Sequence, residues 1–261
     1  MLNGWSSISA LPGLLAADGG FQTFSSSHLG AIGLTIGLSV VIPLLAIRLL
    51  KGKSSRRSLA AAIAAGLVVN ELIYYGWHIW TGSWAGFIES ILPLHLCGAA
   101  VYLLAWAAWR NNQLSYELAY FWGIGGTLQA LITPNLQEPF PAYHFFQYFI
   151  VHGGIVVLVV YLTAAMGFRP LKGAVWRVFG LTNLYMLFVA AVNIALRAAG
   201  LDANYMFLCR PPEGVSPFFF LPWPWYILFL EGVALVLVGL LYGPWLLHDR
   251  KIRPGSPGKV R

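Results

Sequence analysis

The chain has 261 residues, of which 58% are hydrophobic and only 10% are charged, and its mean hydropathy is +0.70. Soluble proteins carry about 25% charged residues, so this composition excludes an ordinary soluble domain and predicts a polytopic membrane protein. The net charge of +7 would suit a nucleic-acid partner, but the distribution of the basic residues argues against one. The two cysteines form no disulfide framework and no metal-ligand spacing.

The N-terminal stretch from Met1 to Ser27 contains no Lys or Arg and only one short apolar piece, Leu11 to Ala17. A secretory signal peptide needs a basic start and a longer apolar core. We therefore predict that residues 1–28 form an external tail.

Seven apolar runs follow, each near the roughly 20 residues that cross the hydrocarbon core of a bilayer. They predict an all-α domain of seven transmembrane helices over residues 29–247, followed by a basic cytoplasmic tail over residues 248–261. The predicted crossings are Leu29–Leu50, Leu59–Trp80, Ile88–Trp109, Glu117–Thr133, Phe145–Met166, Val175–Leu196 and Trp225–Leu247.

The basic residues predict the orientation of these helices. Of the 16 Lys and Arg residues, 14 lie in or beside the segments that follow the first, third, fifth and seventh runs, and only Arg197 and Arg210 lie on the other side. Because cytoplasmic loops carry the excess of Lys and Arg, the N-terminus is predicted outside and the C-terminus in the cytoplasm. We expect a multi-pass protein of a bacterial-type plasma membrane, with its basic clusters beside anionic lipid and no nucleic-acid partner.

Polar residues concentrate in the outer halves of the predicted helices, whereas the inner halves are almost wholly apolar. Cys97, for example, lies roughly 13 Å below the outer end of its predicted helix, at 1.5 Å per residue. Polar side chains at such depth are expensive and often functional, and a shared level predicts the wall of one cavity open to the outside. The residues at this level are Glu71, Cys97, Gln129, His152, Asn193 and Glu231.

Each of these residues also has a structural interpretation. Glu71 would pair with His78 or Arg197. Asn193 and Arg197, four apart on one helical face, would tie their helix to the external loop. His95 would bond a carbonyl freed by the neighbouring proline, and a lone cysteine is often a small packing residue.

The combination of a thiol and an imidazole at one depth predicts covalent chemistry. A thiol needs a base, because apolar burial opposes the thiolate, and His152 is the predicted base for Cys97. Glu71 or Glu231 would orient the imidazole. The pattern predicts acyl transfer or ester cleavage on a membrane lipid of the outer leaflet. The side chains that would donate to the developing oxyanion are Gln129, Asn193 and His95.

Six segments in order carry a resemblance to a known family, and they are Phe21–His28, Leu92–Cys97, Tyr120–Pro134, His144–Gly153, Asn204–Pro211 and Trp223–Tyr226. Over about residues 21–247 the chain resembles the bacterial YwaF-type integral membrane proteins. That family is similar to eukaryotic transmembrane protein 164, a cysteine-centred acyltransferase for ether phospholipids. It is more distantly similar to androgen-induced-gene-type membrane hydrolases, which use a threonine and a histidine.

The resemblance implies that Cys97 is the acyl-accepting cysteine and that His152 is its partner. It implies a reaction class but no substrate, because a bacterial-type membrane would usually lack polyunsaturated ether lipids. No cofactor and no metal are expected. The residues that match family segments without an assigned role are His95, Gln129, Asn204 and Tyr205.

Three other classes stay open from the sequence. A transporter or receptor would use Glu71, Glu231 and Arg197 for a cation, a proton or a small polar solute. A zinc-dependent lipid hydrolase would draw ligands from separate helices, although no HExxH spacing occurs. An assembly partner or chaperone would perform no chemistry.

Overall fold

The computed structural model describes residues 20–212 and 218–252, and within these ranges the regular structure is helical with no strand, as the sequence predicts. Most of the predicted tails, residues 1–19 and 253–261, lie outside the described residues. The elements in chain order are α1 (Ser26–Leu49), α2 (Lys53–Thr81), α3 (Trp84–Ser90), α4 (Leu96–Arg110), α5 (Gln113–Ile132), α6 (Tyr143–Ala164), α7 (Ala174–Ala198), a 3₁₀ turn (Tyr205–Phe207) and α8 (Trp225–Ile252).

Five of these helices are long and apolar enough to cross a membrane, namely α1, α2, α6, α7 and α8. Helix α4 is apolar but has only 15 residues. Helix α5 has 20 residues but includes Gln113, Glu117 and Gln129. Length and composition therefore support five of the seven predicted crossings.

The predicted third crossing, Ile88–Trp109, is two helices rather than one. Helix α3 ends at Ser90 and α4 begins at Leu96, with residues 91–95 not α-helical between them. Pro93 lies in this break, and proline disfavours helix both at its own position and at the residue before it. The tyrosine hydroxyls of α7 and the 3₁₀ turn bind the freed backbone: Tyr205 accepts from the Leu92 amide at 3.1 Å, and Tyr185 donates to the Leu94 carbonyl at 3.2 Å.

Helix α6 lies at the centre of the bundle, where it packs against α1, α2, α4 and α5. Its two consecutive glycines allow this close packing. A Cβ atom at Gly153 would lie 2.6 Å from the hydroxyl oxygen of Thr35 on α1, and one at Gly154 would overlap Leu67 on α2. Small residues at such contacts let helix backbones approach closely.

The contacts between neighbours show that the seven longer helices alternate in direction. Leu67 of α2 packs against Gly154 of α6. One turn later in α2, Glu71 accepts from Gln147, which lies about two turns earlier in α6, so α2 and α6 are antiparallel. Hydrogen bonds between the other neighbouring helices fix their directions in the same way. One end of the bundle, called the site end, therefore holds the starts of α1, α4, α6 and α8 and the ends of α2, α5 and α7. The opposite end, which carries Arg56 and Arg177, is called the basic end.

Polar groups at the basic end are extensively paired. The fully buried carboxylate of Glu117 accepts from Arg177 at 2.7 and 2.9 Å, from Gln113 at 3.0 Å and from the Leu171 amide at 3.0 Å. The Arg56 guanidinium donates to three backbone carbonyls at the C-terminal ends of α1 and α6. These contacts involve the ends of five helices, α1, α2, α5, α6 and α7.

Candidate functional site

The break before α4 places Cys97 in the first turn of that helix. The first bond of the helix runs from the Ala99 amide to the His95 carbonyl at 3.0 Å. The amide groups of Leu96, Cys97 and Gly98 precede it and have no acceptor within the described ranges. A helix N-terminus carries partial positive charge, which stabilises a thiolate.

The thiol of Cys97 points from α4 towards α5. Thr127, which is fully buried on α5, donates its hydroxyl hydrogen to the Cys97 sulfur across 3.6 Å. Glu71 of α2 and Tyr148 of α6 lie within electrostatic range of the same sulfur. The hydrogen bond to the sulfur is that from Thr127, and Cys97 remains partly accessible.

His152 is fixed on α6 through one ring nitrogen. Its Nδ1 atom lies 2.8 Å from the carbonyl oxygen of Tyr148, one turn earlier, and the two rings stack at 4.1 Å. Because a carbonyl only accepts, Nδ1 carries the hydrogen and Nε2 keeps its lone pair. No described residue bonds Nε2. The imidazole is thus oriented by a backbone carbonyl, and not by Glu71 or Glu231 as the sequence predicts.

His28 on α1 shows what a structural histidine looks like in the same bundle. It is fully buried, its Nδ1 accepts from the Phe24 amide at 2.8 Å, and its Nε2 donates to the Leu131 carbonyl at 2.8 Å. Both nitrogens of His28 are used, whereas His152 has one nitrogen available.

Glu71 is buried in a separate hydrogen-bonded chain that reaches α4. Its two oxygens accept from the Tyr75 hydroxyl at 2.9 Å and from the Gln147 amide at 3.1 Å. The Tyr102 hydroxyl of α4 continues the chain at 3.3 Å from Tyr75. Neither of the partners expected from the sequence, His78 or Arg197, binds this carboxyl.

A second group of predicted residues holds the loop after α7. The buried amide of Asn193 binds both backbone groups of Tyr205 at 2.9 Å. Arg197 donates to Asp202 at 2.8 Å, and Asn204 accepts from the amide of Cys209 at 3.0 Å. Asn193 and Arg197 therefore tie α7 to this loop, as their structural interpretation expects.

The remaining predicted residues lie apart from Cys97 and His152. His95 accepts from the Met206 amide at 3.3 Å, so it faces the 3₁₀ turn. Gln129 bonds Thr133 at the end of its own helix at 2.6 Å, and Glu231 accepts from Asn183 of α7 at 2.9 Å. These contacts divide the residues predicted for one cavity into separate groups.

A polar pocket of about 250 Å³ opens at the site end. Gln147, which binds Glu71, and Tyr148, which stacks on His152, both line it. An apolar groove of about 620 Å³ lies elsewhere, between α4, α5 and α7. The polar pocket is lined by Tyr74, Asn135, Leu136, Gln137, Glu138, His144, Gln147 and Tyr148.

Sequence reasoning missed three residues that contact the candidate pair or Glu71. Thr127 touches the thiol, Tyr148 orients the imidazole and Gln147 binds Glu71. The contact of Tyr148 with His152 could have been predicted from the sequence, because residues four apart share a helical face. Thr127 carried no such signal, since only the tertiary packing brings it to Cys97.

The described part of the chain contains no group of three His, Cys, Asp or Glu side chains placed to hold a metal ion. No curated protein and no solved structure matches the chain. The model of one membrane-protein family, the TMEM164 family, matches residues 23–242. That match spans every candidate residue described above, and it shows that this chain belongs to the TMEM164 family.

Proposed function

We propose that the protein is an integral membrane enzyme of the acyl-transfer type, with Cys97 as nucleophile and His152 as base. The observation that carries this proposal is the state of His152, whose Nδ1 is fixed on the Tyr148 carbonyl while Nε2 has no described partner. The same tyrosine ring stacks on the imidazole, and the helices that carry His152 and Cys97 are in contact.

In the first half-reaction, Nε2 of His152 takes the thiol proton of Cys97 as the thiolate attacks an ester carbonyl of a membrane lipid. A carbon–sulfur bond forms, and the carbonyl electrons move to the oxygen. The unpaired amides in the first turn of α4 are donors for that oxyanion. Its collapse breaks the acyl carbon–oxygen bond, and the leaving alkoxide takes the proton from the imidazolium to give a lyso-lipid and a thioester.

In the second half-reaction, an alcohol or water gives its proton to Nε2 and attacks the thioester. The thiolate leaves and recovers the proton, so His152 ends neutral as it began. A lipid alcohol as acceptor makes the protein an acyltransferase, and water makes it a lipid ester hydrolase.

The membrane arrangement is part of the proposal. We infer seven crossings, formed by α1, α2 and α4 to α8, because these helices alternate in direction and basic residues gather at one end. The site end then faces away from the cytoplasm, so the substrate is a lipid of the outer leaflet of a bacterial-type plasma membrane. A shortened α4 is tolerated because residues 91–95 are held by protein groups and not by lipid.

The test uses purified protein in lipid nanodiscs that contain a phospholipid with a labelled acyl chain. After acid quenching, we expect an adduct on Cys97 that neutral hydroxylamine removes. Cys97→Ala should give no adduct, and His152→Ala should slow its formation by about 100-fold or more. Cys209→Ala is the matched control, because the other cysteine lies in the loop bound by Asn204.

Acyl transfer by Cys97→Ala at the wild-type rate would exclude the nucleophile assignment. A protein that binds the lipid but never forms the adduct would instead be a binding or transport protein. Glu71, a buried carboxyl of α2, would be the first residue to consider in that case.

A further inference from the structure

Two tyrosine hydroxyls bind the backbone between α3 and α4, and neither takes part in the acyl-transfer steps. We propose that Tyr205 and Tyr185 are positioning residues, which hold this break open and thereby keep the first-turn amides of α4 free at Cys97. The inference rests on the proposed function for its effect on catalysis. Its effect on the backbone can be measured without any acyl transfer.

The hydroxyl of Tyr205 takes the place of one helical hydrogen bond. The last helical bond of α3 runs from the Ile91 amide to the Phe87 carbonyl at 3.0 Å. The next one would join the Leu92 amide to the Ile88 carbonyl, four residues earlier. Instead, the Tyr205 hydroxyl accepts from the Leu92 amide at 3.1 Å and donates to the Ile88 carbonyl at 2.7 Å. Because a side chain inserted in this way interrupts a helix, Tyr205 helps to end α3.

The hydroxyl of Tyr185 on α7 opposes the extension of α4 towards its N-terminus. In a longer α4 the amides of residues 96–98 would donate to the carbonyls four residues earlier. The Tyr185 hydroxyl instead donates its one hydrogen to the carbonyls of Pro93 at 3.3 Å and Leu94 at 3.2 Å. The remaining carbonyl, that of Leu92, accepts from the Leu94 amide at 2.7 Å. Each of the three carbonyls therefore has another donor, and the three amides of α4 stay free.

Proline alone does not explain why α4 begins so late. Pro93 ends a helix that precedes it, but proline suits the first turn of the helix that follows, where its missing amide hydrogen is not needed. The local sequence would therefore allow α4 to begin at residue 93. The helix begins three residues later, at Leu96. The contacts of Tyr185 supply a reason for this later start that the local sequence lacks.

The loop after α7 fixes Tyr205 in this position. The tyrosine is fully buried, and Asn193 binds both of its backbone groups at 2.9 Å. The next two residues, Met206 and Phe207, have φ angles of 56° and 55°, a left-handed conformation that is unfavourable for residues with a Cβ atom. Such strain persists where the surrounding structure fixes it, and it clusters at functional sites. The strained turn therefore favours a role for Tyr205 beyond packing.

The free amides connect the break to the proposed reaction. The proposed donors for the oxyanion are the amides in the first turn of α4, which contains Cys97. An amide that donates to a carbonyl within its own helix is no longer available to an oxyanion. An extension of α4 by one turn would also move Cys97 away from the helix N-terminus, whose partial positive charge falls off within the first turn. Tyr185 and Tyr205 therefore act on the reaction through the backbone of α4.

Hydrogen exchange measures the effect on the backbone, with the protein in lipid nanodiscs and no labelled substrate. Tyr185→Phe frees the carbonyls of Pro93 and Leu94 to accept from the amides of α4. We therefore expect the amides of Cys97 and Gly98 to exchange about tenfold more slowly in this variant than in the wild type. A substitution that only loosened the fold would make the same amides exchange faster, so the sign of the change separates the two roles.

The effect on catalysis is measured as the maximal rate of thioester formation per folded molecule and the lipid fraction that gives half of that rate. We expect Tyr205→Phe and Tyr185→Phe each to lower the maximal rate about tenfold or more, since the loss of one oxyanion donor costs about 100-fold or more. The half-saturating lipid fraction should not change, because oxyanion donors act in the transition state. Tyr226→Phe is the matched control, because this tyrosine is also fully buried but its hydroxyl donates to the Phe207 carbonyl and not to the break.

Maximal rates in Tyr205→Phe and Tyr185→Phe equal to that of Tyr226→Phe would overturn the inference. Unchanged or faster exchange of the Cys97 and Gly98 amides, in a Tyr185→Phe protein that melts at the wild-type temperature, would also overturn it. The two proposals fail separately. A wild-type protein that forms no thioester would refute the acyl transfer, while slower exchange in Tyr185→Phe would still support the positioning of α4. Wild-type thioester formation in all three tyrosine variants would refute the positioning role alone.

Discussion

The two ends of the helix bundle differ in how completely their buried polar groups are paired. At the basic end, Glu117 is fully buried and has hydrogen-bond donors on both oxygens. At the site end, Nε2 of His78 and the hydroxyl of Tyr143 are buried without a partner, and Nε2 of His152 has no described partner either. Leaving such atoms unpaired costs about 1–3 kcal/mol each. Because the buried carboxylate at the basic end is fully paired, the unpaired polar atoms at the site end indicate a functional site there.

The same contrast occurs within one residue type. His28 uses both ring nitrogens to connect the start of α1 with the end of α5, whereas His152 uses one nitrogen for orientation. A buried polar residue is therefore informative about function when part of its hydrogen-bonding capacity stays unused.

Removal of Glu117 should have the largest effect, at the paired end. Glu117→Ala leaves Arg177, Gln113 and the Leu171 amide without their common acceptor, and we expect about 3 kcal/mol lower stability. Unfolding in a denaturing detergent measures this loss. The rate of thioester formation per folded molecule should not change. A variant that lost the chemistry but kept its stability would break the contrast between the two ends.

Substitution of the two histidines compared above, His152 and His28, should have opposite effects on rate and stability. We expect His152→Ala to lower the rate of thioester formation by about 100-fold, or about 2.7 kcal/mol of transition-state stabilisation, with little change in unfolding. His28→Ala should do the reverse and cost about 2 kcal/mol of stability, because the Phe24 amide and the Leu131 carbonyl lose their partner. Equal stability losses in the two variants would contradict the assignment.

The helical architecture could be predicted from the sequence, because apolar runs and basic clusters are local signals. The break at residues 91–95 could not be placed in the same way. Pro93 marks the position, but the groups that stabilise a non-helical segment there come from Tyr185 and Tyr205, about 90 to 110 residues away. The break decides whether Cys97 lies inside a helix or in a first turn, so the most informative feature of the thiol required tertiary structure.

The depth of a residue could also be predicted, but its direction around the helix could not. Depth grouped Cys97 with His152, and their helices α4 and α6 are in contact. It also grouped Glu231 with them, although this carboxylate bonds Asn183 on the other side of the bundle. The depth of a residue gives only its height along the helix. Which neighbour its side chain contacts also depends on how each helix is rotated about its axis.

A smaller effect is expected at Thr127, which is a buried packing residue and also a hydrogen-bond donor to the candidate nucleophile. Its hydroxyl donates to the Cys97 sulfur, so Thr127→Val removes one donor from the thiolate while keeping the volume. We expect about fivefold to tenfold slower alkylation of Cys97 by a small electrophile at fixed pH. Thr127→Ser keeps the donor and should restore most of the rate. Equal rates in the Val and Ser variants would mean that Thr127 only fills space.

The smallest effect is expected in the exposed loop after α7, at the site end but outside the reactive pair. Hydrogen bonds from the Arg210 guanidinium, followed by those from Arg197, lower the pKa of Asp202 below its usual range. A lowered pKa means that this carboxylate favours the folded loop at pH values above the ordinary aspartate value and loses that contribution as the pH falls through the lowered value. Hydrogen exchange at the Cys209 amide should therefore speed up as the pH falls through that range, after correction for the intrinsic pH dependence of exchange. Asp202→Asn should show the faster, pH-independent rate throughout. Thioester formation should stay unchanged in Asp202→Asn, because the loop charges do not contact the reactive pair; a parallel loss of chemistry would make this loop part of the site.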